Sequence, residues 1–326
     1  MTMKFAARMR RFQMSPSAAT SQRARELRQA GHDIVALSSG EPDFATPDHV
    51  IEAAMAAARA GQTKYTTTSG TAELKAAVIE KFRRDNGLEF TPNEIIVSNG
   101  AKQALFNAFM ATIEAGDEVI VAAPYWVAYA QMTEMAGGRT VAVATTEASG
   151  FKLAPDDLER AITPRAVWLV LNSPGNPSGA VYSAAELEAL AMVLRRHPHV
   201  GVISDDIYEH ILFDGNRFAT LAQVAPDLKS RTLTINGASK AYAMTGWRIG
   251  FSGGPAPLIA EMTKMQSQAT AGPSAISQAA ALAALTGPQD FVAERVAAGQ
   301  SIIGLYPPTD EKNLDAFKEW RAKNGR

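Results

Sequence analysis

The sequence predicts an α/β fold with a mostly parallel central sheet flanked by helices. Short apolar runs of strand type alternate with longer segments in which apolar residues recur at helical spacing. The predicted strands are residues 94–98, 118–122, 139–144, 166–172, 201–204, 232–236 and 247–252. Helical patterns between them include residues 102–113, 184–196 and 257–268. Such alternation is typical of a parallel sheet covered on both faces.

The composition limits the classes of function. The 326 residues carry 32 Lys and Arg against 33 Asp and Glu, so the charge balance gives no reason to expect nucleic acid or an anionic membrane as partner. Cysteine is absent, which excludes disulfides, thiolate metal sites and cysteine nucleophiles. No apolar run reaches the roughly 18 residues of a membrane span. The basic N-terminal segment lacks the apolar stretch of a secretory signal, so we expect a soluble, cytoplasmic protein.

In a sheet of this kind, a ligand is expected beyond the carboxyl ends of the strands, so the residues that follow each strand matter most. Gly100, Ala101 and Lys102 follow the first strand and begin a helical pattern. Free N–H groups at a helix start suit a phosphate. The same residues would also serve as an ordinary strand-to-helix turn.

Two further strand ends carry polar or aromatic side chains. Trp126 follows the second strand, where its ring could stack on a planar ligand or fill the core. Asn176 follows the fourth strand and lies between two prolines. Its amide could donate to a ligand oxygen or close an Asx turn on its own backbone.

The fifth strand leads into an acidic segment that contains Asp205, Asp206, Tyr208, Glu209 and His210. A metal site is disfavoured, because adjacent strand residues point to opposite faces and no second histidine lies nearby. Asp205 and Tyr208 are interpreted as a carboxylate and a phenol at the strand's end. Asp206 and Glu209 are consistent with a solvated acidic turn.

The sixth strand opens into residues 237–250, where Lys240 lies among small and apolar residues without an acidic partner in the segment. Desolvation lowers the pKa of a lysine and makes its amine a usable nucleophile toward an aldehyde. Arg248 follows and could make two parallel hydrogen bonds to a phosphate. Taken alone, such a lysine would more often be a surface residue whose amine reaches water.

Residues 237–250 match the attachment-site signature of class I and II aminotransferases that depend on pyridoxal 5'-phosphate. Residues 40–44, 46–47, 64–66, 100–103, 124–126, 172–179 and 204–210 appear in the same family's order. The resemblance covers about residues 14–298 and is strongest to bacterial aspartate and aspartate/prephenate aminotransferases. It implies the large domain of fold type I.

The resemblance also implies roles around the cofactor. Lys240 would form a Schiff base with pyridoxal phosphate and move a proton between the substrate's α carbon and the cofactor. Asp205 would keep the pyridine nitrogen protonated, so that the ring acts as an electron sink. Trp126 would stack on the ring. Asn176 and Tyr208 would donate to its phenolic oxygen.

Phosphate and substrate contacts are implied in the same way. Arg248 and the backbone amides of Gly100 and Ala101 would hold the phosphate, and Tyr65 would reach the phosphate of a neighbouring subunit in a homodimer. Gly40 would lie near the substrate carboxylate. The remaining expectations place Lys102 and Ser239 at the cofactor, Trp126 and Asn176 also at the substrate, and Lys102 with the Ser17 region at a distal carboxylate.

The implied reaction transfers an amino group between an L-amino acid, aspartate or glutamate, and a 2-oxo acid. Two alternatives stay open: a β-lyase with the same cofactor site, and a protein that binds pyridoxal phosphate with weak or lost catalysis.

The expected organisation is an N-terminal arm with a small-domain segment (1–47), a cofactor-binding large domain (48–290) and a truncated, atypical C-terminal segment (291–326). The match fades after about Ala298, and the role of the family's carboxylate-binding arginine is assigned to neither Arg321 nor Arg326, because both lack the family's strand context. A truncated or frameshifted gene product is one expectation. A shortened enzyme whose tail packs in a new way is the other.

Overall fold

A seven-stranded sheet forms the centre of the protein in a computed structural model that describes residues 3–10, 16–34, 40–42 and 44–297. The strands are β1 (Ile95–Ser98), β2 (Glu118–Ala123), β3 (Arg139–Ala144), β4 (Ala166–Asn172), β5 (Gly201–Asp205), β6 (Thr232–Gly237) and β7 (Gly250–Gly253). Their order across the sheet is β1-β7-β6-β5-β4-β2-β3. Among these strands, β7 runs opposite to the other six and is antiparallel to both of its neighbours, β1 and β6. The predicted mostly parallel sheet is therefore confirmed.

Helices follow most of the strands. They are α1 (Pro16–Gln29), α2 (Asp48–Arg59), α3 (Ala72–Asn86), α4 (Ala101–Thr112), α5 (Ala128–Ala136), α6 (Pro155–Ala161), α7 (Ala184–Arg196), α8 (Leu221–Val224), α9 (Ala256–Ala269), α10 (Ala275–Thr286) and α11 (Asp290–Ala297). The prediction for α7 is correct to the residue, and those for α4 and α9 differ by one residue at each end. A capping box explains why α7 starts sharply. The Ser183 hydroxyl accepts a hydrogen bond from the backbone N–H of Glu186, and the Glu186 carboxylate accepts one from the backbone N–H of Ser183.

Both faces of the sheet are covered, as the continuous apolar runs of its strands require. Side chains alternate across a strand, and Ile120 therefore belongs to a different core cluster from its neighbours Val119 and Val121. Helices α4, α5 and α9 cover the face of Val119, and α6, α7 and α8 cover the face of Ile120. A third cluster joins α2, α3 and α10 to β1 and β7.

The predicted seventh strand, residues 247–252, starts too early. Thr245 to Trp247 form a short 3-10 turn, and Arg248 has a left-handed φ of 57°. A backbone with positive φ cannot continue a strand, so pairing begins at Gly250. The apolar residues correctly indicated a strand in this region, but they do not reveal the change of backbone direction at Arg248.

The predicted boundaries at residues 47 and 290 stay predictions. Phe291 and Val292 of α11 pack against the cluster that contains α2 and α10. Residues 298–326, with Arg321 and Arg326, lie outside the described part of the chain. Within the described ranges, no helix has the length and apolar character needed to cross a bilayer.

Candidate active site

One edge of the sheet collects the predicted site residues. The carboxyl ends of β1, β2, β4, β5 and β6 point to this edge, and β7 begins there because it runs the opposite way. Gly250 is consequently paired with both Ser98 and Gly237. The residues on the segments that meet at this edge are Gly100, Ala101, Lys102, Trp126, Asn176, Asp205, Tyr208, Ser239, Lys240 and Arg248.

Lys240 is the most chemically distinctive of these residues. Its Nζ donates a hydrogen bond to the carbonyl of Gly40 and lies 5.6 Å from the centre of the Tyr208 ring. Burial lowers the pKa of Lys240 to about 8, and the charge of Arg248 acts in the same direction. A substantial fraction of the amine is therefore neutral near pH 8 and able to attack a carbonyl carbon.

The loop that carries Lys240 is fastened to the segment after Gly40. Thr46 Oγ1 donates to the carbonyl of Ala243 at 2.7 Å and accepts from Trp247 Nε1 at 3.0 Å. Thr245 Oγ1 donates to a carboxylate oxygen of Glu41 at 3.1 Å. These bonds hold the Gly40 carbonyl within reach of Lys240 Nζ.

Asp205 presents a buried carboxylate with two unequal oxygens. The residue is 3% exposed, and its Oδ2 accepts a hydrogen bond of 2.6 Å from the hydroxyl of Tyr129. Its Oδ1 has no hydrogen-bond partner among the described residues. Burial raises the pKa of Asp205 to about 6, and the Tyr129 hydroxyl is the strongest influence against that rise. Asp205 therefore offers a mostly ionised carboxylate at neutral pH, with one oxygen free for a cationic partner.

The loop after β4 is braced by Asn172 rather than by Asn176. Asn172 Nδ2 donates to the carbonyl of Asp205 at 2.8 Å, and Asn172 Oδ1 accepts the N–H of Asn176 at 2.8 Å. The amide nitrogen of Asn176 lies 3.5 Å from the hydroxyl of Tyr208. The two donors predicted to share one ligand oxygen, Asn176 and Tyr208, are thus neighbours.

The turn between β1 and α4 is shaped for an anion. Gly100 has a φ of 86°, and a Cβ there would overlap the guanidinium of Arg248. A Cβ at Gly250 would overlap the backbone of Ala101, so two glycines permit the close approach of these segments. Helix α4 begins at Ala101, where unpaired N–H groups and the exposed Arg248 side chain favour negative charge.

Trp126 and Lys102 lie beside this turn. Lys102 Nζ is 5.2 Å from the centre of the Trp126 ring, and burial together with the Arg248 charge lowers the pKa of Lys102. Trp126 packs against the core and also meets the Tyr129 ring edge-on at 5.5 Å, yet it stays partly exposed.

The remaining predicted residues are Tyr65 and Ser17. Tyr65 is 100% exposed in the single chain. The side chain of Ser17 lies outside the described part of the chain.

The interpretation of Asp206 and Glu209 as a solvated acidic turn is wrong. Asp206 is 1% exposed and Glu209 is 3% exposed. Glu209 forms an ion pair with the buried Lys81 of α3 and accepts a hydrogen bond of 2.6 Å from Asn86 Nδ2. The charge that permits this burial comes from a distant helix, which the local sequence does not reveal.

The same cluster contains Asp85 and His210, with His210 Nε2 3.5 Å from Asp85 Oδ2. The ligand atoms of Asp85, Glu209 and His210 lie within 4.8 Å of one another. The Lys81 ammonium already supplies a positive charge to Glu209 in this group, so the cluster is an ion-pair network.

Sequence reasoning missed Tyr129 as a site residue. It lies three positions after Trp126 at the start of α5, a spacing that places both side chains on the same side of a helical turn. That spacing was the available signal. The hydrogen bond between Tyr129 and Asp205 joins residues 76 positions apart, so neither segment alone predicts it.

Comparisons with known proteins agree with this geometry. The family model for aminotransferase class I and II matches residues 32–303. The chain is 56% identical over 273 residues to the aspartate aminotransferase of Rhizobium meliloti (strain 1021). This alignment covers 84% of this chain and 67% of that protein. It is 51% identical over 330 residues to the aspartate/prephenate aminotransferase of Nitrosomonas europaea, in an alignment that covers 98% of this chain and 83% of that protein. The second alignment thus extends into residues 299–326, for which the sequence predicts no family counterpart.

Solved structures show the same architecture. The aspartate aminotransferase from Rhizobium meliloti superimposes with a TM-score of 0.88 at 52% identity, over 92% of this chain and 75% of that one. The aspartate aminotransferase from Thermus thermophilus with maleate superimposes with a TM-score of 0.86 at 48% identity, over 92% of this chain and 77% of that one. The predicted fold type I architecture is confirmed.

Proposed function

The chain belongs to the aminotransferase class I and II family and is an aminotransferase, and on that premise we propose that it holds pyridoxal 5'-phosphate covalently on Lys240 and transfers the amino group of aspartate or glutamate to a 2-oxo acid. The observation that carries the proposal is the buried Lys240 amine, with its lowered pKa, at the same sheet edge as the carboxylate of Asp205.

The residues present fit this cofactor at three points. Asp205 Oδ1 is a buried oxygen without a partner among the described residues, which suits the protonated nitrogen of a pyridine ring. Gly100 and Gly250 let the Arg248 guanidinium and the start of α4 come close together, and a cationic side chain beside free helix N–H groups suits a phosphate. The amine of Lys240 supplies the nucleophile for the aldehyde.

When bound, pyridoxal phosphate supplies an aldehyde carbon for covalent attachment of amines and a ring that withdraws electrons. Lys240 would hold the cofactor, and its amine would move a proton to and from the substrate's α carbon as a general acid and base. Asp205 would keep a positive charge on the ring nitrogen. Asn176 and Tyr208 would donate hydrogen bonds to the phenolic oxygen, and Trp126 would supply a flat apolar surface for the ring. Ser239, next to Lys240 in the chain, would also contact the cofactor.

An acidic substrate is supported by the relatives and by the charge of the site. The Rhizobium and Thermus proteins are aspartate aminotransferases, and the Thermus structure holds maleate, a dicarboxylate as aspartate is. Lys102 places an ammonium beside Trp126, where it would pair with a distal carboxylate. Gly40, whose carbonyl accepts a hydrogen bond from Lys240, would lie near the α-carboxylate of the substrate.

We further propose a homodimer with shared sites. Tyr65 is fully exposed in one chain, on a segment that hydrogen bonds hold in place: Gln278 Nε2 donates to Thr66 Oγ1 at 2.8 Å, and Gln266 Nε2 donates to the carbonyl of Thr68. A rigid segment that presents a fully exposed tyrosine is suited to contact a phosphate in a second subunit.

A single half-reaction tests the proposed chemistry. When aspartate is mixed with the cofactor-loaded protein, the absorbance near the visible edge is expected to disappear while pyridoxamine phosphate and oxaloacetate form in equal amounts. Stopped-flow absorbance and product assay measure both. An unchanged spectrum would indicate cofactor binding without catalysis. Pyruvate and ammonia from an amino acid with a β leaving group, in place of transamination, would indicate a β-lyase.

The pH dependence of cofactor attachment follows from the environment of Lys240. Burial lowers the pKa of Lys240 from 10.5 to about 8, so the protonated amine loses its charge as the pH rises through about 8. The initial rate at which the cofactor-free protein gains absorbance with pyridoxal phosphate is expected to rise with a midpoint near pH 8. A rate that keeps rising until about pH 10 would show an ordinary exposed lysine.

A further inference from the structure

We propose that Tyr129 is a positioning residue of the reaction: its hydroxyl holds Oδ2 of Asp205 so that Oδ1 is directed to the pyridine nitrogen. This inference rests on the proposed function, because it requires the cofactor ring to lie against Asp205. It assigns a role to a residue that does not itself contact the reacting atoms.

The contact between the two residues is buried and short. Tyr129 is 2% exposed, and its hydroxyl oxygen lies 2.6 Å from Asp205 Oδ2. A hydroxyl that donates to an ionised carboxylate at this distance makes one of the stronger hydrogen bonds found in proteins. Burial and the charge of Asp205 raise the pKa of Tyr129 well above its ordinary value, so the hydroxyl keeps its proton and remains the donor.

The main chain of Asp205 is fixed from another side. Asp205 is paired with Asn172 across β4 and β5, and Asn172 Nδ2 donates to its carbonyl at 2.8 Å. The backbone position is therefore set by the sheet. The carboxylate is oriented mainly by the Tyr129 side chain, with a smaller contribution from the backbone N–H of Ile207. Without that hydroxyl, neither carboxylate oxygen would accept a side-chain hydrogen bond from the described residues.

The consequence for the cofactor follows from desolvation. Burial already favours the neutral acid at Asp205, and the Tyr129 bond is the main influence that opposes it. When the bond is lost, the neutral form gains and the carboxylate can rotate. A neutral or rotated Asp205 binds a protonated ring nitrogen less well.

Tyr182 offers a matched control. It is also buried, and it lines the same cavity as Tyr129. Its hydroxyl accepts the N–H of Leu153 at 2.7 Å rather than donating to Asp205. Tyr182→Phe therefore removes one buried hydroxyl and one hydrogen bond, as Tyr129→Phe does, without touching the carboxylate.

The test compares two cofactors in binding rather than in turnover. Dissociation constants are measured on the cofactor-free full chain for pyridoxal phosphate and for its deaza analogue, in which carbon replaces the ring nitrogen. The wild type is expected to prefer pyridoxal phosphate. Tyr129→Phe is expected to reduce that preference about tenfold, as for the loss of a hydrogen bond to a charged group. Tyr182→Phe is expected to leave the preference unchanged, and Tyr129→His, which keeps a ring N–H donor, to retain part of it.

Each other outcome overturns the proposal. A wild-type preference in Tyr129→Phe would show that Asp205 needs no help from the hydroxyl, and an equal loss in Tyr182→Phe would show a general effect of buried hydroxyls. If Tyr129→Phe does not fold, a folded Tyr129→His without any preference would exclude the donor role. A wild type that binds both cofactors equally would remove Asp205 as the nitrogen's partner, whereas transamination itself is decided separately by the aspartate half-reaction.

Discussion

Replacing Lys240 with alanine is expected to slow the half-reaction with aspartate by about 10⁴-fold, the upper range for loss of a general acid and base. The variant also lacks the amine that attaches the cofactor, so borohydride reduction is expected to leave no phosphopyridoxyl group on the protein. The formation of oxaloacetate from aspartate measures the rate, and mass spectrometry after reduction measures the attachment.

Two further variants sharpen that result. Lys240→Arg keeps the positive charge but cannot form the covalent attachment, so it is expected to be as slow as the alanine variant. Lys264→Ala removes an exposed lysine that pairs with Glu261 on α9, and it is expected to react like the wild type. A Lys240→Ala variant that reacts within about tenfold of the wild-type rate would contradict the proton-transfer role.

Replacing Glu209 with alanine is expected to lower the free energy of unfolding by about 3–5 kcal/mol, because the buried Lys81 ammonium would lose the nearer of its two carboxylate partners and keep only Asp85, at 3.8 Å. Urea unfolding of the cofactor-free protein measures the change. Glu261→Ala is the control, since its pair with Lys264 is exposed and should contribute about 1 kcal/mol or less. Equal small losses in the two variants would mean that the Lys81–Glu209 pair does not stabilise the fold.

The contribution of Glu209 is also expected to depend on pH. Lys81 and the neighbouring polar groups lower the pKa of Glu209 from 4.5 to about 2 against the effect of burial. A carboxyl whose folded pKa is depressed stabilises the protein above its unfolded pKa and loses that effect as the pH falls. The stability difference between wild type and Glu209→Ala should therefore be present at pH 6 and shrink between about pH 4.5 and 2.

Local pattern was sufficient for the sheet and for most of the site. Apolar runs located all seven strands of the described residues, and the residues that follow most of them meet at one sheet edge, as expected because parallel strands end on the same side. Lys240 was singled out by the signature of residues 237–250 and Asp205 by its place at the end of β5, and their roles at the cofactor stay proposals.

Long-range contacts and backbone reversals were beyond that reasoning. Glu209 looked solvated because its partner Lys81 belongs to α3, and Tyr129 looked like an ordinary helix residue because its partner is Asp205. The start of β7 was misplaced because the positive φ of Arg248 leaves no mark on the apolar pattern. In each case the deciding interaction or torsion exists only in the folded chain.

The sheet and the burial of the site contribute different properties to Asp205 and Lys240. The sheet fixes where Asp205 and Lys240 lie, and burial moves the pKa of each toward neutrality, to about 6 and about 8. A buried lysine with a lowered pKa suits proton transfer near neutral pH, and Asp205, with a pKa still below 7, suits the ionised partner of a cation.

The central claim, cofactor attachment at Lys240, is tested most directly by reduction and mass spectrometry. Borohydride treatment of the protein loaded with pyridoxal phosphate, followed by trypsin, should place one phosphopyridoxyl group on Lys240. Trypsin does not cleave after a modified lysine, so the labelled peptide should span residues 232–248 instead of 232–240. A label on another lysine, or an unlabelled 232–240 peptide from protein that shows the cofactor's absorbance, would contradict the assignment.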